Sequence, residues 1–307
     1  MSRVPTIESE TESQDWSVRL AQLRQRLHRL RLDAGRVGLD GGTVRAAVHG
    51  SGLEFHDARP YRDGDDVRSI DWRITARTRE PYVRRYEQER DLRLTLVLDA
   101  SGSMGFGTQE LDGRRWTKWQ AAIDAAALFA LLTERTGGRV HWLSTVPDRL
   151  PPHASVGEAV GRLAEHVPHG PDALGQLLTT LARRRSRRSL VVVLTDHHFD
   201  LSRTASQAIG LLNRRHQVRL VRVFDPAEQS LPQRGLIRAI DPETGQRRLL
   251  DAASSRARRE WADTFAAKRT HNRRDLDRLR IASTELSTAD DPVTRLGRWL
   301  RVSQRSQ

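Results

Sequence analysis

Oxygen-bearing side chains directly follow two runs of strand-forming residues, and they are the part of this sequence best suited to chemistry. Residues 94–98 are followed by Asp99-Ala100-Ser101-Gly102-Ser103, and the apolar run Leu190–Thr195 is followed by Asp196. Carboxylate and hydroxyl oxygens are the hard donors that Mg²⁺ and Mn²⁺ prefer. The placement of Asp196 after a second strand is consistent with a single site.

Other catalytic and metal chemistries have weaker patterns. His197 and His198 are adjacent and would point to opposite sides of a strand exit, which makes joint binding of one ion difficult. His166 and His169 have similarly weak spacing. Ser103 lacks the glycine two residues earlier that a nucleophile elbow requires, and no P-loop motif occurs. A metal-dependent hydrolase is the remaining enzymatic alternative, and we expect a protein without catalytic activity.

Charge and composition restrict the class of protein. The chain has 307 residues, no cysteine and a net charge of +13, mostly from arginine. Disulfides and thiolate metal sites are therefore excluded. Binding to nucleic acid or another anionic surface is the alternative function, although aromatic residues make up only 5% of the chain. The densest cationic run, residues 183–188, is placed where a helix should end, and cations are favoured at the C-terminus of a helix. Two interpretations of this run therefore remain open: a solvated helix end, or a surface that binds an anionic partner.

The elements that must position these residues alternate between strand and helix from residue 92 onward. Strands are predicted at 92–98, 140–144, 190–195, 218–224 and 281–286, with helices between them and a hairpin insertion near 234–251. Such alternation is typical of an α/β fold with a doubly wound, mostly parallel sheet. Ligands of these sheets bind at the carboxyl ends of strands, where Asp99 and Asp196 are expected.

The first 90 residues have a different pattern. We predict a disordered tail over 1–15, and a basic amphipathic helix from 16 to 32 with Leu20, Leu23, Leu27 and Leu30 on one face. That helix either packs on its own domain or contacts an anionic membrane surface. A β-rich region follows, so we divide the chain into 16–90, the helix with a small β-rich subdomain, and 91–307, the α/β domain. No apolar stretch is long enough to cross a bilayer, and we expect a cytoplasmic protein.

Two sequence blocks resemble a known family. The block Tyr61-Arg62-Asp63-Gly64-Asp65-Asp66-Val67-Arg68-Ser69-Ile70-Asp71-Trp72 and the Asp99-x-Ser101-x-Ser103 loop together are similar to the short soluble branch of the domain of unknown function 58 (DUF58) family. That family contains a von Willebrand factor A-like domain with a metal-ion-dependent adhesion site (MIDAS). The resemblance implies that Asp99, Ser101, Ser103 and Asp196 bind Mg²⁺ or Mn²⁺. A threonine of the second MIDAS loop is replaced by Pro171, which cannot coordinate, and Asp172 is the substitute ligand.

The resemblance also implies partners. Proteins of this family are typically encoded beside MoxR-type AAA+ ATPases, so the expected function is that of an adaptor or co-chaperone. It would act with such an ATPase in the assembly or maturation of a client protein, capturing a partner carboxylate with help from the metal. The block around Asp57–Trp72 has two interpretations: internal ion pairs and turn stapling, or a partner-binding surface formed by Tyr61, Arg68, Asp71 and Trp72.

Overall fold

The computed structural model describes residues 16–29, 53–62, 65–88, 93–146, 150–171, 173–196, 203–233 and 235–302. The chain separates into two compact units, residues 43–91 and residues 1–42 with 92–307. The predicted tail at 1–15 and residues 30–32 of the predicted helix, with Leu30, lie outside the described residues.

Helices and strands of the described residues follow in this order: α1 Trp16–Arg29, β1 Leu53–Pro60, α2 Trp72–Thr78, β2 Tyr82–Gln88, β3 Arg93–Leu98, β4 Gln109–Leu111, β5 Arg114–Trp116, α3 Lys118–Glu134, β6 Arg139–Ser144, α4 Val156–Ala164, α5 Leu174–Arg183, β7 Leu190–Thr195, α6 Arg203–Arg215, β8 Gln217–Phe224, β9 Leu236–Ile240, β10 Arg247–Asp251, α7 Ser255–Arg278, β11 Ala282–Ser287 and α8 Pro292–Val302.

The small unit is a hairpin with a short helix. Strands β1 and β2 pair antiparallel, with a bulge after Phe55. Asp71 begins α2 by accepting hydrogen bonds from two backbone amides, at 2.9 and 3.2 Å. Arg59 donates to both carboxylate oxygens of Asp65, at 2.7 and 2.6 Å, and Asp65 also accepts from the amide of Arg62. The Arg59–Asp65 ion pair and the turn contact of Asp65 agree with the ion-pair and turn-stapling interpretation of this block, and the partner-binding interpretation stays a prediction.

The large unit is built around a five-stranded parallel sheet in the order β6-β3-β7-β8-β11. The central strands β3 and β7 consist almost entirely of buried apolar residues because both faces of the sheet are covered. On one face lie α1, α3, α4 and α8, and on the other lie α5 and α6. The mixed α/β fold with a parallel central sheet is confirmed.

Helix α1 belongs to the large unit. Trp16, Leu20, Leu23 and Leu27 are buried in the core together with residues of α3, α4 and α8. The leucine stripe therefore packs on the chain's own domain, one of the two expected outcomes. This position differs from the sequence-based division, which placed the helix with the β-rich region, because the apolar face of α1 matches the core of the sheet domain.

Helix α3 is buried along nearly its whole length. Thr117 begins the helix with a capping box, in which its side chain accepts from the amide of Gln120 and its own amide donates to the Gln120 side chain at 2.7 Å. Two charged residues of this helix, Lys118 and Asp124, are fully buried. Asp124 is held by Arg19 of α1, whose Nε lies 3.0 and 3.1 Å from the two carboxylate oxygens.

Sequence-based elements match the large unit closely, with one exception. The β9–β10 hairpin forms a two-stranded sheet of its own, as the predicted insertion requires. The β4–β5 hairpin was not predicted; its turn places Asp112 and Gly113 at positive φ, 54° and 76°. Among the described helices, none is long and apolar enough to cross a membrane.

Candidate functional site

The candidate site lies at the carboxyl edge of the sheet, where the strand order reverses. From β3 the chain continues to β6 on one side and then crosses to β7 on the other side of β3. Asp99 follows β3 and Asp196 follows β7, and the amide of Asp99 donates to the carbonyl of Leu194 at 3.0 Å. These two neighbouring strand ends form the crevice in which ligands of open α/β sheets bind.

The Asp99 carboxylate organises the loop that leaves β3. Its Oδ1 accepts from the amide of Ser101 at 3.0 Å, and its Oδ2 accepts from the hydroxyl of Thr195 at 2.7 Å. The next amide, of Ala100, donates to the Thr145 hydroxyl at 2.7 Å. Asp99 is 3% exposed and thus stabilises a buried loop, whichever ligand the loop takes.

Two serine hydroxyls and a carboxylate meet beside Asp99. The Oγ atoms of Ser101 and Ser103 lie 3.2 Å apart, and Ser103 Oγ donates to Glu243 Oε1 at 3.3 Å. Neighbouring oxygens around Mg²⁺ are about 3 Å apart, given octahedral coordination at roughly 2.1 Å. The Ser101–Ser103 and Ser103–Glu243 oxygen pairs therefore each have the spacing of adjacent ligands, and the chemistry of these oxygens fits a hard divalent cation. Of the described residues, no group of three or more His, Asp or Glu forms a metal cluster.

Asp196, the other expected ligand, is paired with an internal cation. Lys118 Nζ lies 2.6 Å from Asp196 Oδ2 and 2.5 Å from Glu228 Oε1. Burial by itself would lower the pKa of Lys118, but attraction to these two carboxylates outweighs burial and raises the pKa. The charged ammonium thus neutralises much of the negative charge that Asp196 would offer to a metal.

Asp225, at the end of β8, connects several loops of the same edge. Its carboxylate accepts from the amide and hydroxyl of Thr108, the amide of Ala227 and the hydroxyl of Thr288, at 2.7–2.9 Å. Burial would raise the pKa of Asp225, but these hydrogen bonds outweigh it and lower the pKa. The amide of Asp225 donates to Glu228 at 3.0 Å, so the same carboxylate that binds Lys118 is fixed to this loop.

The remaining predicted residues are distributed differently. Asp172, the expected substitute ligand, and the His197-His198 pair lie outside the described residues, while the carbonyl of Gly170 accepts from the amide of Gly102 at 3.0 Å. Of the predicted partner-binding residues, Trp72 is 67% exposed and Asp71 is buried as a helix cap. Tyr61 is half-buried, and the side chain of Arg68 lies outside the described residues.

Comparison with known proteins gives the family. Residues 57–271 match the family described as "Protein of unknown function DUF58". The chain belongs to the DUF58 family. It is 30% identical over 225 residues to "Uncharacterized protein Rv1480" of Mycobacterium tuberculosis and "Uncharacterized protein Mb1516" of Mycobacterium bovis, with 67% of this chain and 67% of each relative covered. The DUF58 resemblance predicted from the two sequence blocks is confirmed.

Two solved structures are similar over a larger share of their own length. The conserved hypothetical protein BatB from Bacteroides thetaiotaomicron has 14% identity and a TM-score of 0.40, covering 70% of this chain and 98% of that one. An aerotolerance-related membrane protein from Bacteroides fragilis has 15% identity and a TM-score of 0.43, covering 70% of this chain and 96% of that one. Both TM-scores are too low to carry an argument about this DUF58 chain.

Sequence reasoning missed three charged residues of the candidate site: Lys118, Glu228 and Glu243. Lys118 begins a helix, where a lysine is ordinarily solvated. Glu243 directly follows an Asp-Pro pair, and Glu228 follows another after one intervening residue; this turn signal accounts for both residues without a functional site. The available signal for Lys118 was the strongly apolar composition of the helix that follows it, which predicts burial on all sides.

Proposed function

We propose that this DUF58 protein is a non-enzymatic protein-binding module with a von Willebrand factor A-like architecture. It captures a carboxylate of a partner protein at the loop formed by Asp99, Ser101 and Ser103. Mg²⁺ or Mn²⁺ at this loop would supply the Lewis-acid attraction for that carboxylate. The proposed partner is a MoxR-type AAA+ ATPase, with which the chain acts in the cytoplasm as an adaptor or co-chaperone for a client protein.

The observation that carries this proposal is the convergence of the Ser101 and Ser103 hydroxyls with a carboxylate oxygen at 3.2 and 3.3 Å. Two hydroxyls on a buried loop at a switch point are preorganised, because the Asp99 carboxylate already holds the loop. Asp99 is used for this positioning, and Asp196 is paired with Lys118. That use of both carboxylates supports a binding role over nucleophilic or general-base catalysis.

The ATPase assignment is tested with purified proteins. The organism's own MoxR-type ATPase is immobilised, and binding of wild type, Ser103→Ala and Ser255→Ala is measured by interferometry in magnesium and in EDTA. Ser255 is an exposed serine of α7 and serves as the matched control. We expect Ser103→Ala and EDTA each to weaken binding at least tenfold, and Ser255→Ala to bind like wild type. Equal binding by all three proteins in both buffers would exclude the adhesion-site mechanism.

One observation favours the second candidate function, binding of a nucleic acid. All the arginines from 183 to 188 are exposed, between the end of α5 and the start of β7. Phosphate contacts of this kind produce affinity that falls steeply with salt concentration. Retained DNA affinity at physiological salt, with a steep salt slope that Arg184→Ala reduces, would support it.

A further inference from the structure

The carboxylate that accepts from Ser103 comes from the chain itself, at the tip of the β9–β10 hairpin. Asp241 stiffens this tip: its Oδ1 accepts from the amides of Glu243 and Thr244 at 2.9 and 3.2 Å, and its carbonyl accepts from the amide of Gly245 at 2.8 Å. The turn therefore presents Glu243 in a defined direction instead of leaving it on a loose loop.

The backbone of the tip is in tight contact with the serine loop. A Cβ atom placed on Gly102 would lie 2.3 Å from the carbonyl oxygen of Pro242 and 2.9 Å from its carbonyl carbon. No side chain fits in that space, so the glycine between Ser101 and Ser103 permits the hairpin to seat there. The contact between Glu243 and Ser103 thus belongs to a packed interface between the hairpin tip and the loop.

We propose that Glu243 is an internal carboxylate ligand of the Asp99–Ser101–Ser103 site, and that the hairpin tip must withdraw before a partner carboxylate can bind. This inference rests on the proposed function. Glu243 Oε1 lies 3.3 Å from Ser103 Oγ, the spacing of adjacent oxygens around Mg²⁺. It occupies the position that a captured carboxylate would take, and it compensates for the hydroxyl missing at Pro171.

A tethered ligand competes strongly with a free one. Short connections give effective concentrations on the millimolar scale, so a partner carboxylate of weaker intrinsic affinity stays excluded while the tip is seated. The hairpin is a separate two-stranded sheet, paired with none of the five strands of the central sheet. Its tip can therefore withdraw without breaking hydrogen bonds of the central sheet.

Luminescence of bound Tb³⁺, a hard-cation probe for Mg²⁺, tests the proposal. Lifetimes in H₂O and D₂O give the number of water molecules on the ion, for wild type, Glu243→Ala, Gly102→Ala and the control Glu260→Ala. Glu260 is an exposed carboxylate on α7. We expect about one additional water in both Glu243→Ala and Gly102→Ala, because each removes the Glu243 carboxylate from the ion. Affinity for Tb³⁺ should fall at least about tenfold, since even outer-shell losses cost that much.

Added acetate, a free carboxylate, should reverse the change in hydration that Glu243→Ala produces. It should displace the additional water from Glu243→Ala but leave wild type unchanged. An unchanged hydration number in Glu243→Ala would overturn the proposal.

Failure of the proposed function has a separate result: Ser103→Ala would then bind Tb³⁺ as wild type does. In that case amide exchange of residues 236–251 decides the role of Glu243. Faster exchange in Glu243→Ala than in Glu260→Ala would show that Glu243 holds the hairpin tip on the serine loop. Equal exchange in the two variants would reject that role as well.

Discussion

Replacement of Lys118 by methionine should destabilise the large unit in a pH-dependent way. The substitution keeps an unbranched apolar chain but removes the ammonium that binds both Asp196 and Glu228. The two carboxylate oxygens can be no more than about 5 Å apart, since both bind one nitrogen at 2.6 and 2.5 Å. Two unit charges at that distance repel each other by about 3 kcal/mol at an effective dielectric constant of ~20.

The free energy of unfolding that Lys118→Met loses at pH 7 also has an upper limit. One carboxyl group can take up a proton instead of remaining charged, which costs roughly 4 kcal/mol at pH 7 for a group with an ordinary pKa near 4. We therefore expect Lys118→Met to lower the free energy of unfolding by about 3–4 kcal/mol, in the range typical of breaking a buried ion pair. At pH 5 protonation is easier, and the loss should shrink by roughly 2 kcal/mol.

Amide exchange of β3 and β7 measures this free energy, because central buried strands open only with the whole unit. Wild type and Lys118→Met are compared at pH 7 and pH 5. The control is the triple variant Lys118→Met, Asp196→Asn, Glu228→Gln, which has no buried charge at these positions and should recover most of the loss. A loss below about 1 kcal/mol, or one that is equal at both pH values, would refute the electrostatic reasoning.

Three further predictions concern α1 and a buried histidine. Arg19→Met leaves the fully buried Asp124 unpaired and should lower the free energy of unfolding, measured by thermal unfolding, by about 3–5 kcal/mol. Adding Asp124→Asn should recover most of this loss, and no recovery would contradict the ion-pair account. Leu23→Ala removes a side chain with no exposed surface and should cost about 2–5 kcal/mol; a loss below about 0.5 kcal/mol would mean that α1 does not dock. Burial, and to a smaller extent the positive charges of Arg215 and Arg188, lowers the pKa of His216 below its ordinary value of 6.5. The neutral imidazole therefore contributes its full share of the free energy of unfolding above pH 6.5, and this stability is lost as the pH falls through the folded-state pKa. Denaturant titrations from pH 7.5 to 5 should therefore show a smaller acid-side loss in His216→Gln than in wild type, and equal slopes would contradict this.

The central sheet was predictable because its strands are short apolar runs. Strand β7 begins and ends at the predicted residues, since Leu190–Thr195 is a continuous apolar run bounded by polar residues. The β4–β5 hairpin was not predicted because its three-residue strands are largely polar, even though Asp112-Gly113 is a strong turn signal. Local pattern therefore predicted elements that bury apolar surface and missed an element stabilised by its turn.

The candidate site was predictable only in part because its charges are paired over long distances in sequence. The Asp99–Ser103 loop is local, and its position after β3 follows from the strand itself. Lys118, by contrast, pairs with carboxylates 78 and 110 residues later in the chain. Glu243 reaches Ser103 across 140 residues. No pattern within a short window encodes such pairs, since each depends on how β7, β8 and the hairpin meet at one edge of the sheet.

The contact between the first and last described helices has a consequence for synthesis of the chain. Arg26 of α1 pairs with Asp291, the residue before α8, across 265 residues of sequence at 2.5 Å. Translation at about 5–20 residues per second separates the two by on the order of 10–50 s. Throughout that interval the apolar face of α1 lacks the α8 part of its packing site. The apolar face of this basic, leucine-rich helix is thus not fully covered until α8 emerges, and a ribosome-associated chaperone would protect it during that interval.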